Sequence, residues 1–227
     1  MAFNIAIDGP AGAGKSTIAK EIAQKLSYIY VDTGAMFRAM ALYCIRHDIS
    51  QENEAEISAA CEQIQVTLTY QDGEQQVLLN GENVNALIRT EEVGTMASGI
   101  SIYQAVRSKL LNLQRKLAST ADVVMDGRDI GTCVLPKAQV KIYLTASVAT
   151  RGKRRFLELQ GRGISCNLQE ICADIEKRDA QDQNRKIAPL RQAQDAILVD
   201  SSQMDIFQVV DTILGFIKQV QKKEIND

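Results

Sequence analysis

Histidine is nearly absent from this chain of 227 residues: His47, between Arg46 and Asp48, is the only one. A histidine-based zinc site and a Ser-His-Asp triad are thereby excluded, because each needs imidazole at a defined place. His47 itself is expected on the surface near a helix end. Paired cysteines are lacking too. Cys44, Cys61, Cys133, Cys166 and Cys172 are odd in number, and none stands in C-x-x-C spacing. They read as reduced thiols of a cytoplasmic protein. No signal peptide is legible and no apolar run approaches membrane length, so no membrane partner is expected. Positive charge is not in excess either. With 26 basic and 28 acidic residues the net charge is −2, and the pI is 5.6, whereas a dedicated nucleic-acid binder is basic overall. The guanine-reading string N-K-x-D occurs nowhere, which speaks against a GTPase-type switch. Repeats and low-complexity tracts are missing as well. The hydrophobic 45% and charged 24% are ordinary globular values that allow a substantial core in one α/β domain with a small appendage.

What is present is concentrated at the start. Ile5-Ala6-Ile7-Asp8 leads into Gly9-Pro10-Ala11-Gly12-Ala13-Gly14-Lys15-Ser16-Thr17, and a helical pattern follows at once. This is G-x-x-x-x-G-K-S in a strand–loop–helix setting, the phosphate-binding P-loop. Backbone N–H groups must close around phosphate oxygens, and glycines permit the tight turn that side chains would obstruct. Lys15 supplies a point charge for the β- and γ-phosphates, Ser16 a hydroxyl for Mg²⁺, and the helix its positive end. The motif implies binding of a nucleoside triphosphate.

Along the chain, periodicity predicts a helix over about 15–26, with Ile18, Ile22 and Leu26 on one face. The short apolar runs 3–7, 28–31, 122–126, 140–144 and 196–200 read as five buried parallel strands, separated by stretches long enough for crossover helices. A second helix is expected over 35–46. The last helix carries the stripe Ile206, Val209, Val210, Ile213, Ile217 and Val220, with Ser202 and Asp205 as a capping-box-like start, and should dock on the sheet. Between these, 66–70 and 76–80 are strand-like runs around Asp72-Gly73, with Asn80-Gly81 as a further turn. They predict a small antiparallel insertion; a hairpin on the edge of the main sheet is the alternative. The tail from Lys222 is charged and expected to fray.

A second nucleotide element is Val123-Val124-Met125-Asp126-Gly127-Arg128-Asp129, an apolar strand ending in a carboxylate that can organise Mg²⁺ or its waters. Ligands in open α/β sheets gather at the carboxyl ends of strands, where Lys15 also lies. Arginines follow several strands: Arg38 after Asp32-Thr33-Gly34, Arg151, Arg154 and Arg155 with Lys153 after the fourth strand, Arg178 and Arg185 around R-D-A-Q-D-Q-N-R, and Arg107 within a helix. Any one of them suits a solvated helix face, but several begin immediately after strands, and as a set they suit phosphate, which guanidinium forks bind bidentately.

The strings I-D-G-P-A-G-A-G-K-S-T, V-D-T-G-A-M-F-R, D-G-R-D-I-G-T, T-A-S-V-A-T-R-G-K-R-R and R-D-A-Q-D-Q-N-R together resemble bacterial cytidylate kinases, essentially end to end. The resemblance implies a three-layer α/β P-loop kinase fold over residues 1–227, with a five-stranded parallel sheet, an antiparallel β insertion at 62–88 that binds the nucleoside monophosphate, and a helical lid at 150–166; the core is then 1–61, 89–149 and 167–227. It implies transfer of the γ-phosphate of ATP to CMP or dCMP with Mg²⁺, in pyrimidine nucleotide metabolism. Gly9 to Thr17 would hold ATP, with Arg151, Arg154 and Arg155 in the lid. Thr33, Arg38, Arg128 and Arg185 would face the phosphates, Ser98, Arg107 and Asp129 would read cytosine, and Arg178 and Asp182 would meet the ribose, Arg178 also nearing the transferring group. Lys15, Arg128, Arg178 and Arg185 are the implied catalytic set, and Ser16 with Asp126 the metal-binding pair. Departures from the family pattern are Gly152 in place of alanine, Gln104 in place of proline, and Gln181 in place of a charged residue. A monomer is expected, since no spare apolar stripe is evident.

The chemistry agrees with that reading. A phosphomonoester has its second pKa near about 6 and is a ready dianion at neutral pH, so no general base is required. What is required is positive charge that brings two phosphate groups together and stabilises the transition state. Cytosine offers an N4 amino donor that a carboxylate such as Asp129 accepts, and Arg107 can donate to N3 or O2; uracil reverses both and is expected to be rejected.

Overall fold

Apolar runs followed by polar turns set the architecture. The computed structural model describes residues 2–226. Strand β1 (Asn4–Asp8) buries Ile5, Ala6 and Ile7 completely, then gives way to the glycine loop and helix α1 (Lys15–Leu26). Ile18, Ala19, Ile22 and Ala23 form the buried face of α1, and Leu26 lies at its margin. Two compact units follow from the packing, one of Ile29–Val123, the other of Phe3–Tyr28 with the chain from Val124 onward.

In the first unit, β2 (Ile29–Asp32) runs straight into α2 (Thr33–Arg46), with no intervening loop. The helix starts two residues earlier than its apolar pattern predicts because the Asp32 carboxylate accepts from the Ala35 amide at 2.9 Å, an N-cap that satisfies an otherwise orphan donor. Exposed His47 stacks on Tyr43 just beyond the end of α2. Helix α3 (Glu54–Gln63) is capped by Asn53. The insertion then forms β3 (Val66–Gln71), β4 (Glu74–Leu79) and the two-residue β5 (Glu82–Asn83), an antiparallel sheet of its own, so the edge-hairpin alternative is set aside. Both turns have two consecutive residues at positive φ, Asp72 and Gly73 at 53° and 79°, Asn80 and Gly81 at 49° and 88°, the handedness a tight hairpin demands. Helices α4 (Glu91–Ile100) and α5 (Gln104–Thr120) pack on α2.

In the second unit, β6 (Val123–Gly127) is followed by a π-helical turn, Ile130–Val134, and by β7 (Val140–Thr145). Helices α6 (Val148–Gly161) and α7 (Leu168–Gln183) pack along each other, capped by Ser147 and Asn167. β8 (Ile197–Asp200) and α8 (Ile206–Asn226) complete the chain. The main sheet has five strands in the order β2-β6-β1-β7-β8, with β1, β7 and β8 in parallel register. Helix α8 packs on α1 and β7 through Val209, Val210, Ile213 and Ile217; Ile206, predicted in the stripe, is exposed because it opens the helix. The capping box lies three residues beyond its predicted place: Asp205 and Gln208 exchange side-chain and backbone bonds, whereas Ser202 bonds Asp200 and the Ser147 amide. No helix among the described residues is long and apolar enough to cross a membrane.

Candidate active site

The glycine loop is shaped by what cannot fit. A Cβ on Gly9 would lie 1.9 Å from the Leu144 carbonyl oxygen on β7, so any side chain would drive the loop off the sheet. Gly12 and Gly14 stand at φ of 75° and 87°, left-handed positions that turn successive N–H groups inward. Lys15 opens α1 almost fully buried, its Nζ donating to the Pro10 carbonyl at 2.8 Å. Burial, and then the Arg128 charge, hold its ammonium well below the ordinary lysine value, against the pull of Asp126, Asp182 and Asp8. Ser16 Oγ donates to Asp126 Oδ2 at 2.9 Å. The two residues predicted to serve a metal are therefore brought together from α1 and the end of β6.

Aspartate 182 organises the arginines. Its carboxylate, 1% exposed, accepts from Arg128 Nε at 2.8 Å and from an Arg185 terminal nitrogen. Burial alone would raise its pKa, but the charges of Arg128 and Arg185, with Arg178 one turn earlier on α7, hold it below the usual carboxylate range. Four predicted residues thus form one cluster, in which a buried anion holds two guanidiniums by hydrogen bonds and lies within the field of a third. Asp129 is buried at the head of the π-helical turn, and its carbonyl accepts from the Cys133 and Val134 amides.

Sequence reasoning gave no role to Asp8, which closes this frame. Its carboxylate takes the Ile130 and Gly131 amides, both at 2.7 Å, tying the end of β1 to the turn that follows Asp129. The signal was available: an aspartate at the carboxyl end of the strand that enters the P-loop. Burial pushes Asp8 up to about 6, against those two bonds.

The three arginines of α6 occupy three different environments. Arg151 is 3% exposed. It donates from Nε to Ala146 O at 2.8 Å, from one terminal nitrogen to Ala11 O at 3.0 Å, and from both terminal nitrogens to the Asp179 carboxylate at 3.1 and 2.6 Å. Arg154 donates to Ser201, and Arg155 pairs with Glu158 at the surface. Arg154 and Arg155 are half-buried, whereas Arg151 is built against the P-loop through the Ala11 carbonyl.

The remaining predicted residues lie in the first unit. Thr33 opens α2 and is buried, and Arg38 follows within two turns. Ser98 lies on α4, its Oγ buried and without a hydrogen-bond partner among the described residues. Arg107 on α5 lies over the Phe37 ring at 5.7 Å and donates to Ser101 O at 3.3 Å. Phe37 was missed by the sequence reading, as was Arg89, which pairs with Asp32 at 2.7 Å. Long-range ion pairs of that kind leave no local signature.

Known proteins match along nearly the whole length. The family model for cytidylate kinase covers residues 5–219. A cytidylate kinase of Lactobacillus gasseri is 48% identical over 220 residues, 97% of this chain and 96% of that protein. One of Syntrophotalea carbinolica is 44% identical over 218 residues, 96% of this chain and 93% of that protein. Among solved structures, an uncharacterized protein from Eubacterium ventriosum aligns with a TM-score of 0.53 at 14% identity, over 95% of this chain and 98% of that one, a likeness of fold alone. A P-loop with its arginine cluster, inside a match that runs from residue 5 to residue 219, places the conclusion beyond fold: the chain belongs to the cytidylate kinase family.

Proposed function

We propose that the protein transfers the γ-phosphoryl group of ATP to CMP and dCMP, yielding CDP and dCDP. The observation that carries this reading is the cluster of Arg128, Arg178 and Arg185 on the buried Asp182, in the same unit as Lys15 and the P-loop. Residues Gly9 to Thr17 hold the ATP phosphates by backbone N–H groups and Lys15. The guanidiniums balance the negative charge of the acceptor phosphate and of the transferring group, and Asp182 holds those of Arg128 and Arg185 in place before substrate arrives. No residue need remove a proton, since the acceptor is already an anion.

Magnesium fits the oxygens present. Ser16 Oγ and Asp126 Oδ2, 2.9 Å apart, are hard donors of the kind the ion accepts while keeping waters and phosphate oxygens as its other ligands. When bound, it neutralises charge on the transferring phosphates. Thr33 and Arg38 serve the acceptor phosphate, with Arg154 and Arg155 nearer ATP. Ser98, Arg107 and Asp129 are the residues assigned to the base: by chemistry a hydroxyl is an adaptable group, a guanidinium a donor and a carboxylate an acceptor. The chain acts as a monomer in the cytoplasm.

Release of ADP with ATP, Mg²⁺ and each of CMP, dCMP, UMP, AMP, GMP and dTMP tests the reading. Turnover confined mainly to CMP and dCMP is expected. Comparable kcat/KM with UMP would overturn the base assignment, and silence with all six would overturn the reaction. Arg178→Ala is expected to lose about 10³-fold or more in kcat/KM while unfolding like the parent.

A further inference from the structure

Strand β2 ends the main sheet, so one of its edges has no neighbouring strand. Backbone groups of successive residues in a strand point to opposite edges. The Ile29 amide donates to Asp122 O at 2.9 Å, which commits the odd-numbered residues to the paired side and turns the peptide groups of Tyr30 and Asp32 toward the open edge. Both residues are buried, Tyr30 at 7% and Asp32 at 5% exposure, so unmade bonds there would be costly.

Two side chains of the insertion make three of those bonds, to the Tyr30 carbonyl and to both backbone groups of Asp32. Tyr70 Oη donates to Tyr30 O at 3.1 Å. Gln75 accepts from the Asp32 amide through Oε1 at 2.9 Å and donates from Nε2 to Asp32 O at 3.3 Å. A single glutamine amide thus makes with Asp32 the donor–acceptor pair that an added strand would make. Tyr70 on β3 and Gln75 on β4 stand opposite each other in register, on one face of the hairpin. The carboxylate of the same Asp32 caps α2 through the Ala35 amide at 2.9 Å and pairs with Arg89 at 2.7 Å. Backbone and side chain of one residue therefore join the hairpin to the first turn of α2, where Thr33 lies, with Arg38 a turn further on.

We propose that Gln75 and Tyr70 are positioning residues for acceptor recognition: by completing the open edge of β2 they fix the start of α2, and with it Thr33 and Arg38, for a nucleoside monophosphate. The inference rests on the function proposed above for the acceptor. Burial lifts the Tyr70 hydroxyl to about 12, so it remains a donor at every working pH. Neither side chain touches substrate in this scheme. Their effect passes through the Asp32–Thr33 backbone, and small displacements of positioning groups are amplified in binding and rate.

Steady-state kinetics of Gln75→Ala and Tyr70→Phe test it. The second variant deletes a single hydroxyl and leaves the packing in place. Gln75→Ala is expected to raise KM for CMP about tenfold and Tyr70→Phe about threefold, with KM for ATP and saturated kcat within about twofold of the parent. An unchanged KM for CMP, or equal rises for CMP and ATP, would overturn the positioning role. Amide exchange read on ligand-free protein separates this outcome from the function itself. The Asp32 amide is expected to exchange about tenfold faster in Gln75→Ala, and unchanged protection would overturn the clamp. If the parent fails to phosphorylate CMP, the proposed reaction falls, and the exchange measurement still decides whether the hairpin holds β2.

Discussion

Arg151 and Arg155 are four residues apart on α6 and chemically identical, yet their surroundings give them opposite weights. Arg151 is buried against the P-loop, its stem in van der Waals contact with the position a Gly12 Cβ would take, and four hydrogen bonds satisfy two carbonyls and the Asp179 carboxylate. Removing it strands a largely buried anion and two backbone acceptors. Arg155 lies at the surface against Glu158, where solvent screens the pair. Arg151→Ala is therefore expected to cost about 3 kcal/mol in urea unfolding, and Arg155→Ala no more than about 0.5 kcal/mol. Equal costs would show that the Arg151 bonds carry no net stability. The sequence identified these arginines as a basic cluster behind a strand, but could not separate them. Helical spacing says which side chains share a face; what that face meets is decided by α7 and the loop around Ala11. Lys15, Ser16 and the three glycines were legible because the P-loop works through its backbone, and its requirements are written locally. Asp8 and Asp182 were harder: one had no assigned role and the other was assigned to ribose, while in the structure their carboxylates hold partners 122 and 54 positions away.

Elements were legible where a local rule specifies them. Both hairpin turns declared themselves as Asp-Gly and Asn-Gly, and the five parallel strands as short apolar runs. The π-helical turn after Asp129 had no such signal, because its geometry comes from Asp8 taking two amides at its start. The pairing of α6 with α7 shows a related effect at Gly152. An alanine at this position would crowd the present packing: a Cβ here would lie 2.4 Å from Cys172 Sγ on α7. In an exposed helix, glycine to alanine gains about 1 kcal/mol; here the clash opposes that gain. Gly152→Ala alone is expected to be neutral or destabilising, and in a Cys172→Ala background to stabilise by about 1 kcal/mol. The corresponding coupling in a double-mutant cycle is about 1–2 kcal/mol. Additive effects would mean that the thiol swings aside freely and that the small residue at 152 has no packing reason.

For the molecule as a whole, the pH dependence of stability sets two buried carboxylates against each other. Net charge passes through zero near pH 5.6, so global repulsion is weak in the mildly acidic range and local groups dominate the profile. Asp182 is held low by its arginines; the stability it contributes is present above its unfolded value and lost as pH falls through its folded one. Asp8 has the opposite sign. Burial raises it from 3.8 to about 6, so its contribution is fully present below the unfolded value and is lost as pH rises through about 6. An uncharged Asp8→Asn cannot titrate. The stability of the parent relative to Asp8→Asn, measured by urea unfolding of ligand-free protein, is therefore expected to be larger at pH 5 than at pH 7 by about 1 kcal/mol. The absolute offset between the two proteins carries the lost amide bonds and does not enter this difference. Parallel profiles would mean that the Ile130 and Gly131 amides compensate burial in full and keep Asp8 an ordinary carboxylate. A difference of the expected sign would mean that ligand-free protein favours a protonated Asp8 below pH 6, with the frame behind the P-loop completed by a proton.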